Sequence, residues 1–127
     1  MPETRNAKTL AAVVDRYCEA WGVADDAARR ALLASVWAPD ATYTDPTAHV
    51  QGIDGLATHI AGVRQQYPGA IIERTSTVDS HHDHARFGWQ LRRPDGSTLP
   101  EGIDIVDFTA DGRIAAIVGF FGPLRRG

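Results

Sequence analysis

The apolar residues of this 127-residue chain change their spacing near Gly69, and that change limits the folds open to it. Before it, apolar side chains recur every three or four residues, which places them on one face of an α-helix. After it, they alternate with polar residues, as in strands that bury one face. A chain of this length fits one domain. We therefore predict a single α+β domain over residues 1–127, with helices first and a strand meander after them.

Three helices are predicted before Gly69. The first ends at Gly22, the second covers about residues 25–36 and is capped by Asp25 or Asp26, and the third covers about residues 53–67. Their apolar faces consist of Leu10, Val13, Val14, Tyr17, Cys18 and Trp21 in the first, Ala28, Leu32 and Val36 in the second, and Leu56, Ile60 and Val63 in the third.

Five strands are predicted. A short one covers residues 41–45 and ends at Pro46, and another covers about residues 70–78, followed by a turn at 79–83. Three more strands follow. The first has Ala85, Phe87, Trp89 and Leu91 on one face, the second ends at about Phe108, and the last has Ile114, Ala116, Val118 and Phe120 on one face.

Both faces of the last two strands carry apolar side chains. Ile103 and Ile105 alternate with Val106 and Phe108, so each face has its own apolar set. One face is expected to meet the helices around a pocket, because long antiparallel strands need one covered face. The other face is expected to meet a second subunit, which predicts a homodimer.

Composition excludes several classes of partner. A formal net charge of -3 argues against a nucleic-acid binder, which is usually basic. No apolar run reaches the length of a membrane span, and the polar N-terminus does not resemble a signal peptide. The one cysteine, Cys18, cannot form an internal disulfide, so we expect a cytoplasmic protein.

Three residues are the candidates for acid–base chemistry. Asp45 lies at a strand end before Pro46, where an aspartate is either a turn former or a general base. Asp104 shares a strand face with apolar residues, so it is either solvated at an edge or desolvated with a raised pKa. Tyr17 lies on the apolar face of the first helix, either as a core residue or as a hydrogen-bond donor in a pocket.

Other side chains are assigned to the pocket or set aside. His59 lies beside the apolar face of the third helix, either as a buried or surface histidine or as a second acid–base group. Residues expected to contact a substrate are Trp37, His59, Trp89, Val106 and Phe120. The run His81-His82-Asp83-His84 resembles a metal cluster, but it reads as a turn with no fourth ligand, so neither a metal nor another cofactor is expected.

Five short stretches make the chain similar to the nuclear transport factor 2-like superfamily, and within it to the SnoaL-like (polyketide cyclase) and ketosteroid isomerase branches. They are Val-Val-Asp-Arg-Tyr at 13–17, Ala-Thr-Tyr-Thr-Asp-Pro at 41–46, Gly-Ile-Asp-Gly-Leu at 52–56, Gly-Ile-Asp at 102–104 and Gly-Arg-Ile at 112–114. The resemblance covers nearly the whole chain. It implies a cone-shaped α+β fold whose curved sheet encloses a deep, mostly apolar pocket.

The resemblance also implies roles for the three candidates. In ketosteroid isomerases an aspartate base moves a proton between two carbons, while a tyrosine and a protonated aspartate bind the oxyanion. These roles fall on Asp45, Tyr17 and Asp104 respectively. The chain departs from those enzymes at His59-Ile60, where they tend to have an aromatic pair, and in a shorter loop after Pro46.

Three functions stay open from the sequence. The first is a cofactor-independent isomerase or cyclase that forms an enolate from a small apolar carbonyl compound. The second is a non-catalytic module that binds a small hydrophobic ligand or serves dimerisation. The third is an epoxide hydrolase-like enzyme, for which no arginine is evident and the one asparagine, Asn6, lies near the terminus.

Overall fold

The computed structural model describes residues 7–127, and Asn6 and the polar N-terminal segment lie outside them. Its helices are α1 (Ala7–Ala20), α2 (Asp26–Ala34) and α3 (Gly52–Gln66). Its strands are β1 (Trp37–Asp45), β2 (Ala48–Gln51), β3 (Ile71–Arg74), β4 (Asp79–His81), β5 (His84–Arg92), β6 (Gly102–Phe108) and β7 (Ile114–Phe121). Within these residues no helix has the length and apolar character that a membrane span needs.

The strands form one mixed sheet in the order β2-β1-β7-β6-β5-β3, with β4 paired to β5. β1 runs parallel to β7, and the other pairs are antiparallel. The predicted α+β architecture, with three helices packed on a mostly antiparallel sheet, is confirmed. The parallel pair places the carboxyl end of β1 beside the middle of β7, which brings residues distant in the chain to one region of the sheet.

The core lies between the helices and one face of the sheet. Each fully buried apolar side chain stabilises the fold by about 1.5–3 kcal/mol relative to an exposed one. The core side chains include Leu10, Val14 and Tyr17 of α1, Leu56 and Ile60 of α3, and Phe87, Val106 and Ile117 of the strands. The predicted inner faces of α1 and α3 are therefore correct.

The second helix differs from its prediction. Asp25 is the N-cap and accepts a hydrogen bond from the Ala28 backbone N–H at 2.8 Å, as expected. However, Ala28 is exposed, and the buried residues of the helix are Arg29 and Leu33. The Arg29 guanidinium pairs with the Asp26 carboxylate and donates to the backbone carbonyl of Val23, each at 3.0 Å, and these contacts compensate for its burial.

The first half of the chain also contains more strand than predicted. α2 ends at Ala34, before its predicted end near residue 36, and β1 begins at Trp37, so Pro39 lies inside a strand. The pairing of β1 with β7 shifts register between Trp37 and Thr42, and this irregularity accommodates a residue that has no backbone N–H to donate. The segment after Asp45, where a loop is predicted, is a hairpin that adds β2.

Two further irregularities change the predicted strands. The expected strand over 70–78 is split, and β4 takes up part of the expected turn at 79–83. The pairing of β6 with β7 shifts register between Asp107 and Phe108. Because of this bulge, Ile114 and Ile117 are both buried, while Val118 and Phe120 are on the opposite, exposed face.

Candidate active site

A cavity of about 410 Å³ lies between α1, α3 and the inner face of the sheet. Its walls are mostly aromatic and aliphatic, with two carboxyl groups and one imidazole among them. The lining residues are Tyr17, Trp21, Tyr43, Asp45, Thr47, His59, Val63, Gln66, Tyr67, Ile72, Trp89, Leu91, Leu99, Pro100, Asp104, Phe121 and Gly122. None of these described residues is a lysine or an arginine, so the ionisable groups facing the cavity are mainly acidic.

Asp45, at the end of β1, is a carboxylate held by three hydrogen bonds. Its Oδ1 accepts from the Thr47 backbone N–H at 2.7 Å and from the Thr47 hydroxyl at 2.8 Å, and its Oδ2 accepts from the Tyr43 hydroxyl at 2.6 Å. Burial alone would raise the pKa of Asp45. The donors from Tyr43 and Thr47, together with nearby His59, outweigh burial and hold the pKa below its ordinary value.

Asp104, in the middle of β6, differs from Asp45 in that its pKa is raised. It is 5% exposed and lies on the inner face of β6 with Val106, as the strand alternation predicted. Burial raises the pKa of Asp104 to about 7, the indole N–H of Trp89 opposes that rise, and the negative charge of Asp45 adds to it. The indole donates to Asp104 Oδ1 at 2.8 Å, so a proton on this group belongs on Oδ2.

A glycine separates the two carboxyl groups. Gly119 of β7 pairs directly with Asp104 and lies beside Asp45 on the other neighbouring strand. A side chain at Gly119 would begin 2.8 Å from Asp104 Oδ1 and 3.6 Å from Asp45 Cβ. The two acids are therefore two strand spacings apart, about 10 Å between their Cα atoms, with no side chain between them.

A second glycine lets Trp89 reach Asp104. Gly102 of β6 pairs with Trp89 of β5, and a Cβ at Gly102 would lie 2.4 Å from the indole Cζ2. The indole therefore lies flat across the backbone of β6 and meets the carboxyl group two residues further along. The ring also contacts the edge of Phe121, at 5.9 Å between centroids, near one end of the cavity.

Tyr17 of α1 faces the cavity from the helical side. Its ring stacks on Trp37 at 6.0 Å with an interplanar angle of 13° and meets Trp21 edge-on at 6.3 Å. Burial raises the pKa of Tyr17 well above its ordinary value, and the charge of Asp104 adds to the rise. The hydroxyl therefore keeps its proton at physiological pH and can act as a hydrogen-bond donor.

His59 of α3 lies next to Asp45 inside an aromatic cluster. Its ring centroid is 5.8 Å from that of Trp21 and 5.3 Å from that of Tyr43. Its Nε2 lies 3.7 Å from Asp45 Oδ2, and the two side chains are 16% and 4% exposed. Among the described residues, no group makes a hydrogen bond to this buried nitrogen.

Three residues expected to contact a substrate do not line the cavity. Trp37 is buried and stacks on the Tyr17 ring, and Val106 is fully buried in the core. Phe120 is 56% exposed on the outer face of the sheet, and its neighbour Phe121 faces the cavity instead. Strand alternation from the buried Ile117 through Gly119 could have identified Phe121.

Two further residues of the cavity wall, Trp21 and Tyr43, are not among the predicted site residues. Each lies close in sequence to a predicted site residue: Trp21, directly after the end of α1, follows Tyr17 by four positions, and Tyr43 precedes Asp45 by two on β1. Helical and strand periodicity therefore place each of them on the same face as its assigned neighbour.

The other histidines lie away from the cavity. His81, His82 and His84 are exposed at the β4–β5 hairpin, and the His84 ring bonds the Asp107 carboxylate at 2.6 Å. His49 of β2 bonds the Thr44 hydroxyl at 2.7 Å and is absent from the cavity wall. Within residues 7–127, no cluster of three or more His, Cys, Asp or Glu side chains has the arrangement of a metal site.

The arrangement suits a proton transfer coupled to stabilisation of a negative oxygen. An ionised carboxylate faces one part of the cavity, and two groups that hold protons face another. Between them lies a largely apolar space in which hydrogen bonds to a charge are stronger than in water.

Comparison with known proteins agrees with this fold. The family model of the SnoaL-like domain matches residues 14–117 of this chain. A steroid Δ-isomerase of Nocardioides simplex is 31% identical over 118 residues, which cover 88% of this chain and 89% of that protein. A crystal structure of a SnoaL-like family protein from Agrobacterium tumefaciens C58 has a TM-score of 0.84 at 34% identity, covering 91% of this chain and 99% of that one.

A more distant neighbour supports the fold alone. The structure of a protein with a cystatin-like fold from Methylobium petroleophilum PM1 has a TM-score of 0.75 at 16% identity, over 95% of this chain and 80% of that one. The family match spans most of the chain and includes Tyr17, Asp45 and Asp104. The chain therefore belongs to the family of SnoaL-like domains, whose related members include isomerases.

Proposed function

We propose that this protein is an enzyme that forms an enolate from a small, neutral, apolar carbonyl compound, using only its own side chains. The observation that carries the proposal is the pair of carboxyl groups in one apolar cavity, Asp45 with a lowered pKa and Asp104 with a pKa raised to about 7. Two carboxyl groups whose environments separate their pKa values are typical of an acid–base pair. Isomerisation, cyclisation and dehydration all begin with this step.

In the proposed reaction, Asp45 is the general base. Its Oδ1 accepts two hydrogen bonds and its Oδ2 accepts one, so of the roughly four acceptor positions of a carboxylate one remains, on Oδ2. That position takes the proton from the carbon next to the substrate carbonyl. The C–H electron pair becomes the enolate double bond, and the negative charge moves to the carbonyl oxygen.

Tyr17 and Asp104 are the proposed donors to that oxygen. Burial keeps the Tyr17 hydroxyl protonated at neutral pH, and it raises the pKa of Asp104 to about 7, so that this carboxyl group keeps its proton below that pH. The Trp89 indole occupies Asp104 Oδ1, so the acid proton on Oδ2 is available for the substrate. Donors fixed in advance at a developing charge typically contribute about 10²–10³-fold in rate each.

The remaining walls favour a flat, uncharged ligand. Aromatic faces from Trp89 and His59, with Val63 and Leu91, offer an apolar contact surface. The volume is within the usual range for small-molecule sites, about 300–1,000 Å³. Without a lysine or arginine among the described lining residues, a carboxylate or phosphate on the ligand would find no counter-charge.

A pH–rate profile tests the proposal. With androst-5-ene-3,17-dione as the probe, kcat/KM should fall about tenfold per pH unit above about pH 7, because ionised Asp104 can no longer donate a proton. The acid limb should lie below the ordinary carboxyl range, because the pKa of Asp45 is lowered. Ultraviolet absorbance of the conjugated enone measures the rate.

Asp104→Asn provides the matched variant for this profile. Its amide N–H still donates but does not titrate, so the variant should be slower and should lack the basic limb. Asp107→Asn, on the exposed face of the same strand, should behave as wild type. A folded protein that binds the probe but does not convert it would favour the non-catalytic binding module.

We further propose that the protein is a homodimer formed through the outer face of the sheet. Ile103 pairs with Phe120 and Ile105 with Val118 across β6 and β7, so four apolar side chains form one outer patch. Arg86 pairs with Ile105 at its border, and Asp107 of the same strand lies nearby, so both signs of charge are available to a two-fold interface.

Sedimentation velocity tests the dimer. Wild type should sediment with twice the mass of one chain, and Phe120→Glu should yield the monomer, because it buries an unpaired charge in the interface. Leu124→Glu is the control, since Leu124 is also apolar and exposed but lies beyond the end of β7. A wild-type protein with the mass of one chain contradicts this proposal.

A further inference from the structure

The part of the cavity next to Asp45, the proposed general base, contains a second group that can carry a proton. Asp45 Oδ2 has one acceptor position left after the Tyr43 hydroxyl, and His59 Nε2 lies 3.7 Å from that same oxygen. Both side chains line the cavity, so a substrate that meets Asp45 also lies near the imidazole.

Packing alone does not explain why an imidazole occupies this position. The His59 ring is held by Trp21 and Tyr43, contacts that a phenylalanine would make equally well. Its Nε2 is buried without a hydrogen-bond partner among the described residues, and leaving such a group unpaired destabilises a folded protein. A nitrogen kept at that cost beside the proposed base indicates a role in which the nitrogen itself takes part.

We infer that His59 is a second proton carrier, which exchanges the substrate-derived proton with Asp45 between its removal from one carbon and its delivery to another. The inference rests on the proposed function and deepens it. Neither comparison nor resemblance supplies this role, because the steroid isomerases to which the chain is similar tend to have an aromatic residue at this point of the third helix.

The proton balance of the step is simple. The substrate C–H proton goes to Asp45 Oδ2, the oxygen nearest to His59 Nε2, and makes the carboxyl group neutral. In the tautomer with its own proton on Nδ1, the imidazole accepts that proton, and Asp45 becomes a carboxylate again beside an imidazolium. The imidazolium then returns one proton, either through Asp45 or directly to the enolate, and no other reactant is needed.

This role matters because Asp45 cannot turn. Thr47 holds Oδ1 through both its backbone and its hydroxyl, and Tyr43 holds Oδ2, so the carboxylate presents one oxygen in one direction. A carrier on α3 extends the reach of the base along the cavity. It also gives the proton time to exchange with solvent, which a direct return from a single carboxylate does not.

Isotope transfer separates this role from a structural one. With androst-5-ene-3,17-dione deuterated at C4, wild type should lose much of the label to water, because the proton passes through His59. His59→Phe keeps the ring contacts but has no nitrogen, so the label retained at C6 should rise at least about twofold. Its kcat should fall by about 10²-fold, the lower end of general acid–base contributions.

Two further variants complete the test. His59→Gln, which is polar but cannot take up and release a proton near neutral pH, should match His59→Phe and serves if the phenylalanine variant misfolds. His49→Phe, outside the cavity wall, should keep the wild-type label retention and rate. Wild-type retention and kcat in both His59 variants would overturn the inference while leaving the proposed function intact. A folded wild type that turns over neither this probe nor small ketones in exchange with D2O overturns both.

Discussion

Asp45→Asn should lower kcat for enolisation by about 10²–10⁴-fold, the usual contribution of a general base. Asparagine keeps the shape of the side chain, and its carbonyl oxygen can still accept the hydrogen bonds that Thr47 donates to Oδ1. It lacks the anionic oxygen that removes the proton. Initial rates at saturating substrate, together with the thermal unfolding midpoint, measure the loss and verify the fold.

Two controls bracket this variant. Asp54→Asn changes an aspartate in the first turn of α3 that is exposed and paired with Arg30, so its rate should equal wild type. Tyr43→Phe removes a donor that lowers the pKa of Asp45, so the acid limb of the rate profile should move to higher pH with Asp45 still active. An Asp45→Asn protein that keeps wild-type kcat removes Asp45 from the mechanism.

Asp104→Asn should stabilise the folded protein at pH 8 while slowing the reaction. In the unfolded chain this carboxyl group ionises near 3.8, whereas in the folded chain it keeps its proton up to about 7. Wild-type stability therefore falls as pH rises between these values, by about 4 kcal/mol if this group acts alone. Asparagine does not ionise, so the variant should gain roughly 2–4 kcal/mol at pH 8.

Denaturant unfolding of both proteins at pH 4, 6 and 8 measures this effect. The difference between the two curves isolates Asp104 together with its coupling to Asp45, because the other carboxylates contribute equally to both. Asp107→Asn, half exposed and paired with His84, should show a small difference without this pH dependence. A difference between wild type and Asp104→Asn that does not change from pH 4 to pH 8 would mean that the buried acid is not protonated as proposed.

The parts of the fold predicted best are those fixed by local periodicity. The apolar residues of α1 and α3 recur at helical spacing, and the inward orientation of Asp104 follows from its two-residue distance to Val106. The positions of glycine and proline predict the ends of these helices to within a few residues. No tertiary information was needed because one face of each element is plainly apolar.

The errors arose where tertiary contacts override the local pattern. Arg29 is buried because carbonyl groups of the preceding loop accept its hydrogen bonds, which no periodicity could indicate. Phe120 and Phe121 differ little in type, and the bulge between β6 and β7 decides which one faces inward from Ile114 onwards. Trp37 is predicted at the cavity wall, but it stacks on the Tyr17 ring, and Tyr17 lines the cavity in its place.

The sequence predicts which residues belong to the candidate site, but it does not predict how they are arranged in space. Tyr17, Asp45, His59, Trp89 and Asp104 were all named from the sequence, and all of them line the cavity. Their mutual orientation was not available, because it depends on which strands are neighbours. The parallel pairing of β1 with β7 joins segments more than 70 residues apart, and without it the relation of Asp45 to Asp104 cannot be deduced.

Gly119 has a consequence for how charge moves during the proposed reaction. Because no side chain separates the two acids, each feels the other, and the charge of Asp45 helps to keep Asp104 protonated. When Asp45 takes a proton, its charge disappears while an equal charge develops on the substrate oxygen beside Asp104. The net charge within the cavity thus stays constant, and catalysis becomes the relocation of one negative charge across three strands.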